Sequence, residues 1–72
     1  VMADRSDNYI EIDVVIKTVL PRSVWVEYEG EEGNIARALL HAGDDRRLED
    51  ARHGDEMSIS VRAWKLADLG WQ

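Results

Sequence analysis

The stretch Tyr9-Ile10-Glu11-Ile12-Asp13-Val14-Val15-Ile16-Lys17-Thr18-Val19-Leu20 decides the fold. Its apolar residues recur every second position. Ile10, Ile12, Val14, Ile16, Thr18 and Leu20 fall on one side, and Glu11, Asp13, Val15 and Lys17 on the other. A period of two is that of a half-buried strand, because successive side chains of a strand leave on opposite faces. A helical period would mix the charged and apolar sets.

Pro21-Arg22 ends this strand, since proline lacks the ladder donor and fixes φ. Ser23–Tyr28 follows as a second strand. A three-residue connection would set Thr18 against Val24, Ile16 against Val26 and Val14 against Tyr28. A two-residue loop would set Ile16 against Glu27 and turn the apolar face outward, so the odd-length loop is preferred. Val15, Lys17, Trp25 and Glu27 then share the outer face. Glu29-Gly30-Glu31-Glu32-Gly33 reads as the turn of a second hairpin, with Asn34-Ile35 as its short return.

Ala36–Ala42 is rich in helix formers and reads as about two turns closed by Gly43. Asp44 is placed to cap a further short helix through Arg52, or the segment is a loop. Glu56–Arg62 alternates again, with Met57, Ile59 and Val61 on one side. Ala63–Leu69 reads as a closing helical segment, with Gly70 as a left-handed cap and Trp71 folding back on Leu66. The expected fold is mainly β (α+β), a small barrel of the oligonucleotide-binding or SH3-like type with one or two short helices.

The chain is 72 residues, one domain's worth, with residues 1–8 expected as a flexible tail and 9–72 as a single small β-barrel domain. A core of this size supplies roughly 3–5 kcal/mol. There is no Cys, so disulfides and thiolate metal sites are excluded. Met2 reads as the natural start, with Val1 an added residue. No signal sequence or membrane-spanning run is visible, so the expected location is the cytoplasm, with no membrane partner.

The net charge is −6. Residues 1–36 carry eight acids and three bases, and residues 37–72 carry seven acids and six bases. This balance argues against docking along a phosphate backbone and suits a basic protein surface. Glu27, Glu29, Glu31 and Glu32 crowd one turn beside Trp25, a residue type that anchors interfaces. The expected partner-binding residues are therefore Trp25, Glu27, Glu29, Glu31 and Glu32, with Val15 and Lys17 on the same face. The bland alternative is that edge glutamates only block aggregation and that Trp25 packs under a loop. Trp64 and Trp71 read as core and cap residues.

Catalysis finds little footing. Ser6, Ser23, Ser58, Ser60, Thr18, His41 and His53 form no recognisable nucleophile motif, so the chain is read as non-enzymatic and without a cofactor. The two histidines read as surface residues, His41 at a helix end. Asp44-Asp45 and Glu49-Asp50 lack calcium-loop spacing and are interleaved with Arg46, Arg47 and Arg52, which suits ion pairs.

The order of these pieces resembles a group of small bacteriophage and prophage proteins. Their pattern has an apolar second strand, a turn glycine, a W-I-P-[KR]-S motif, an acidic middle and a closing W-L-A…G-L. Ser23-Val24-Trp25-Val26, Gly30, Ile35–Leu40 and Trp64–Trp71 occupy the corresponding places. Asn34 stands where the pattern has Trp, Ala36 where it has Pro, and Ala38 where it has Ser. The resemblance implies a β-barrel of phage or mobile-element origin and brings no catalytic residues. The expectation is a protein-binding module meeting a host or phage protein, in its sharpest form an inhibitor of a host defence complex of the anti-CRISPR kind. The alternatives are a single-stranded nucleic-acid binder and an assembly protein that pairs as a homodimer through the Val15–Trp25 face.

Overall fold

The computed structural model of the chain describes residues 8–71. It is an α+β domain whose four antiparallel strands form one sheet in the order β3-β2-β1-β4. The strands are β1 (Tyr9–Val19), β2 (Ser23–Tyr28), β3 (Glu31–Ala36) and β4 (Glu56–Arg62). Between β3 and β4 lie a 3-10 turn at Arg37–Leu39, helix α1 (Ala42–Arg47) and a second 3-10 turn at Leu48–Asp50. Helix α2 (Ala63–Leu69) closes the chain. Of the expected tail, only Asn8 lies within the described residues. Its carbonyl accepts from the Ala63 N–H at 3.0 Å, which ties the start of β1 to the start of α2.

β1 serves two neighbours. Its first part, from Tyr9 to Val15, pairs with β4, and its last part, from Val15 to Val19, pairs with β2. The expected pair Ile16↔Val26 is present, but beyond it the register slips. Thr18 meets Trp25 and Val19 meets Val24, with an irregularity between Ile16 and Thr18. An extra residue on one strand of an antiparallel pair is a β-bulge, and it turns the following side chains over. Val19 is therefore packed against the core, and Thr18 and Leu20, expected inside, are exposed.

The loop before β4 backs this bulge. Ile16 N–H donates to the Asp55 carbonyl at 2.7 Å, and Gly54 N–H donates to the Ile16 carbonyl at 2.6 Å. The Lys17 carbonyl is met by His53 Nδ1 at 2.8 Å. A carbonyl only accepts, so Nδ1 carries the proton.

The sheet is not closed into a barrel, which corrects the expectation. β3 gives way to a 3-10 turn at Arg37, and the returning chain forms no strand beside β4, meeting it in β fashion only at the isolated bridge Leu40↔Val61 among the described residues. The inner sheet face contributes Ile12, Val14, Ile16, Val24, Val26, Ile35, Ile59 and Val61 to the core, and Leu40, Leu48, Leu66 and Trp71 complete it.

The helical segments also differ from their sequence reading. Ala36–Ala42 is not the expected two-turn helix: it holds only the 3-10 turn at Arg37–Leu39, α1 begins at its last residue, Ala42, and Gly43 lies inside α1 rather than closing a helix. The cap is His41, whose Nδ1 accepts from Gly43 N–H at 3.2 Å, and Asp44 is not the cap. Asp44 instead accepts from Ser60 N–H at 2.8 Å and from Arg47 at 3.0 Å. Arg37 donates to the Asp45 carboxylate at 2.7 Å and to the Leu20 carbonyl at 3.1 Å, which fastens this layer to the β1–β2 turn.

The closing segment follows its sequence. Gly70 is left-handed at φ 81°, Gly70 N–H bonds to Ala67 and Trp71 N–H bonds to Leu66. This is a Schellman cap. Trp71 is buried against Tyr28, while Trp64, expected in the core, is 51 % exposed.

Candidate functional site: the outer sheet face

Alternation along four paired strands decides what the outer face carries. On β1 it presents Tyr9, Glu11, Asp13, Val15 and Lys17, because Ile10, Ile12, Val14 and Ile16 are committed to the core. The β4 register brings Arg62, Ser60, Ser58 and Glu56 opposite Tyr9, Glu11, Asp13 and Val15. The β2 register brings Glu27 opposite Val15 from the other side, and Glu32 lies opposite Glu27 on β3. Glu56, Val15, Glu27 and Glu32 thus form one row across the whole sheet.

Trp25 is 41 % exposed on this face, between Thr18 on β1 and Asn34 on β3. Asn34 donates to the Ser23 hydroxyl at 3.1 Å. Leu20, in the neighbouring turn, is 39 % exposed.

The two cations of the face already have counterparts. Lys17 Nζ lies 3.0 Å from a Glu27 carboxylate oxygen. That hydrogen bond, then the Glu27 charge, with Glu32 adding, holds the Lys17 ammonium above its ordinary pKa. Arg62 lies over the Tyr9 ring, 4.7 Å from its centroid. Ser58 donates a hydrogen bond to Asp13.

A shallow cleft of about 170 Å³ opens beside Val15, lined by Asp13, Val14, Glu27, Glu29 and Glu56. Among the described residues no group of His, Cys, Asp or Glu is arranged to hold a metal ion. No helix among them is long and apolar enough to cross a membrane.

Val15, Lys17, Trp25 and Glu27 share the face that the alternation predicted, Glu32, read as a turn residue, joins them from β3, and Glu29 reaches the face from the turn. Glu31 does not. Its carboxylate accepts from Trp71 Nε1 at 3.2 Å, beside the aromatic contact with Tyr28. Three carboxylates of the face, on Glu11, Asp13 and Glu56, were not among the predicted site residues. For Glu11 and Asp13 the signal was present, since they alternate with the apolar face of β1. Glu56 is brought in by the β1–β4 pairing, which joins distant parts of the chain.

The arrangement defines a class: a small α+β domain whose open antiparallel sheet shows solvent an acidic face with an exposed tryptophan toward the β1–β2 turn. Comparison with protein-family models, with curated proteins and with solved structures gives no match to the chain.

Proposed function

We propose that the protein is a non-enzymatic binding module that engages a basic protein surface with the outer face of its sheet. One observation carries this reading: exposed Trp25 lies on the same face as five carboxylates, on Glu11, Asp13, Glu27, Glu32 and Glu56, which outnumber the cations Lys17 and Arg62, and Lys17 is already paired with Glu27. Aromatic anchors supply interface energy, and a face of net negative charge sets encounter rate and partner choice. Single-stranded nucleic acid needs the opposite sign of field around its stacking platform. The likeness to phage and prophage proteins supplies the setting. The partner is then a host or phage protein whose basic groove this face fills, as an inhibitor of a nucleic-acid-handling defence complex would.

The test reverses Glu27, Glu29 and Glu32 to Lys together, and separately changes Trp25→Ala, in protein whose melting curve stays cooperative. Capture from lysate of the source cells is then compared at rising salt. The expected outcome is a basic protein held by the wild type at low salt and lost from both variants. Retention unaffected by charge reversal would remove the acidic face from the proposal.

A further inference from the structure

The two edges of the sheet are treated differently. β4 has its outer edge covered. His41 N–H donates to the Ser60 carbonyl at 3.0 Å, the Asp44 carboxylate accepts from Ser60 N–H at 2.8 Å, and Arg47 donates to the Ser58 carbonyl at 3.2 Å.

β3 forms the opposite edge, and its hydrogen-bond phase can be counted. Arg37 N–H donates to the Arg22 carbonyl at 2.9 Å, one pair beyond Ser23↔Ala36. In an antiparallel ladder, residues alternate between bonding one neighbour and turning their N–H and C=O away from it. Counting back by two, Ile35, Gly33 and Glu31 bond to β2. Ala36, Asn34 and Glu32 turn their backbone groups outward. The Ala36 carbonyl is taken by the 3-10 turn that starts there, and among the described residues no hydrogen bond takes the Ala36 N–H or the backbone groups of Glu32 and Asn34.

We infer that this edge receives an extended segment of the partner as a fifth strand, with Lys or Arg alternating with apolar residues. The inference rests on the acidic-face reading for its charge and adds the mode of docking. Main-chain bonds to a free edge give affinity, and alternate side chains give specificity. On the outer face the added strand lies beside exposed Glu32, one strand from Glu27, so basic side chains fit there. On the inner face it meets Gly33, where the Trp71 ring and Leu69 lie against the backbone, so apolar side chains fit there. A second copy of this chain would bring the same Glu31 and Glu32 edge and a further charge of −6.

The probe is the capped peptide Lys-Val-Lys-Val-Lys-Val, compared with a form N-methylated on the residues that bond to β3, which keeps every charge. Amide shifts and amide exchange of the labelled protein are followed by NMR. The expected result is protection of the Glu32, Asn34 and Ala36 amides by the unmodified peptide and affinity about tenfold weaker for the methylated one, the equivalent of one or two backbone hydrogen bonds. Ala36→Pro should weaken binding similarly. Its backbone at φ −64° already suits proline, and the lost N–H serves no ladder bond. Asn34→Pro repeats the test should the first variant fail to fold.

Equal binding of the two peptides would overturn strand addition and leave the acidic face standing. Binding of neither would also overturn it, and the charge-reversal experiment would still judge the face. A dimer in sedimentation that Ala36→Pro dissolves would overturn it by giving the edge to a second copy.

Discussion

Gly33 sits in the middle of β3, where glycine ordinarily weakens a strand. Its reason is the Trp71 ring. A Cβ at this position would lie 2.8 Å from both Cη2 and Cζ2 of that ring, well inside contact distance. Gly33 therefore gives the indole a seat, and Glu31 fixes its Nε1–H. Gly33→Ala should cost about 1–3 kcal/mol through overpacking. A thermal melt should fall by roughly 4–8 °C for each kcal/mol in a domain this small. Trp71→Phe in the same chain should restore part of the loss, because the clashing ring atoms are gone. An unchanged melting temperature for Gly33→Ala would show that the ring does not occupy this seat. The glycine reads in sequence as part of a turn, because nothing local signals a tryptophan nearly forty positions away. The burial of Trp71 itself was legible, because Gly70 reads as a left-handed cap, whereas the exposure of Trp64 was not. Only the left-handed Gly70 directs Trp71 inward, while Trp64 stays on the solvent side of α2.

At the scale of elements, the β2–β3 hairpin turns on two residues, Glu29 at φ 51° and Gly30 at φ 86°. Two positive φ values make a type I′ turn, whose twist matches that of the flanking strands and whose favoured sequence is Asn-Gly. Glu29 is the strained member, since an ordinary residue in the left-handed region costs roughly 1–2 kcal/mol and asparagine less. Glu29→Asn should raise stability by about 1 kcal/mol, read as a higher urea midpoint with an unchanged slope. A lower midpoint would contradict the turn assignment. The hairpin was legible as an acidic glycine turn, but its return strand is longer than Asn34-Ile35, because only Glu29 and Gly30 form the loop. β1 was legible from its alternation as far as Ile16. The bulge beyond it depends on the 53–55 loop, which accepts and donates the backbone bonds of Ile16 and Lys17 from far along the chain. Likewise α1 starts at Ala42, after its cap His41, rather than earlier, because Leu40 is drawn onto β4 by its bridge to Val61.

Across the whole molecule, one face of the sheet is spent on the core and the other is left to solvent. The covering layer of α1, the 3-10 turns and α2 supplies Leu40, Leu48, Leu66 and Trp71 to the inner face, and α1 with its cap also blocks the β4 edge. What remains open is the acidic outer face and the β3 edge that continues it. Most of that face could be read from alternation in β1 and β2. Its extent could not, because Glu56 and Glu32 join through strand pairings between separate segments. The proposal that this face is the binding surface is tested most directly by photo-crosslinking in the source cells, with a benzophenone amino acid placed at Trp25 and, separately, at Trp64. The expected result is a discrete adduct from position 25 that disappears when Glu27, Glu29 and Glu32 are reversed to Lys, and no adduct from position 64. An adduct from position 64 with none from position 25 would contradict it.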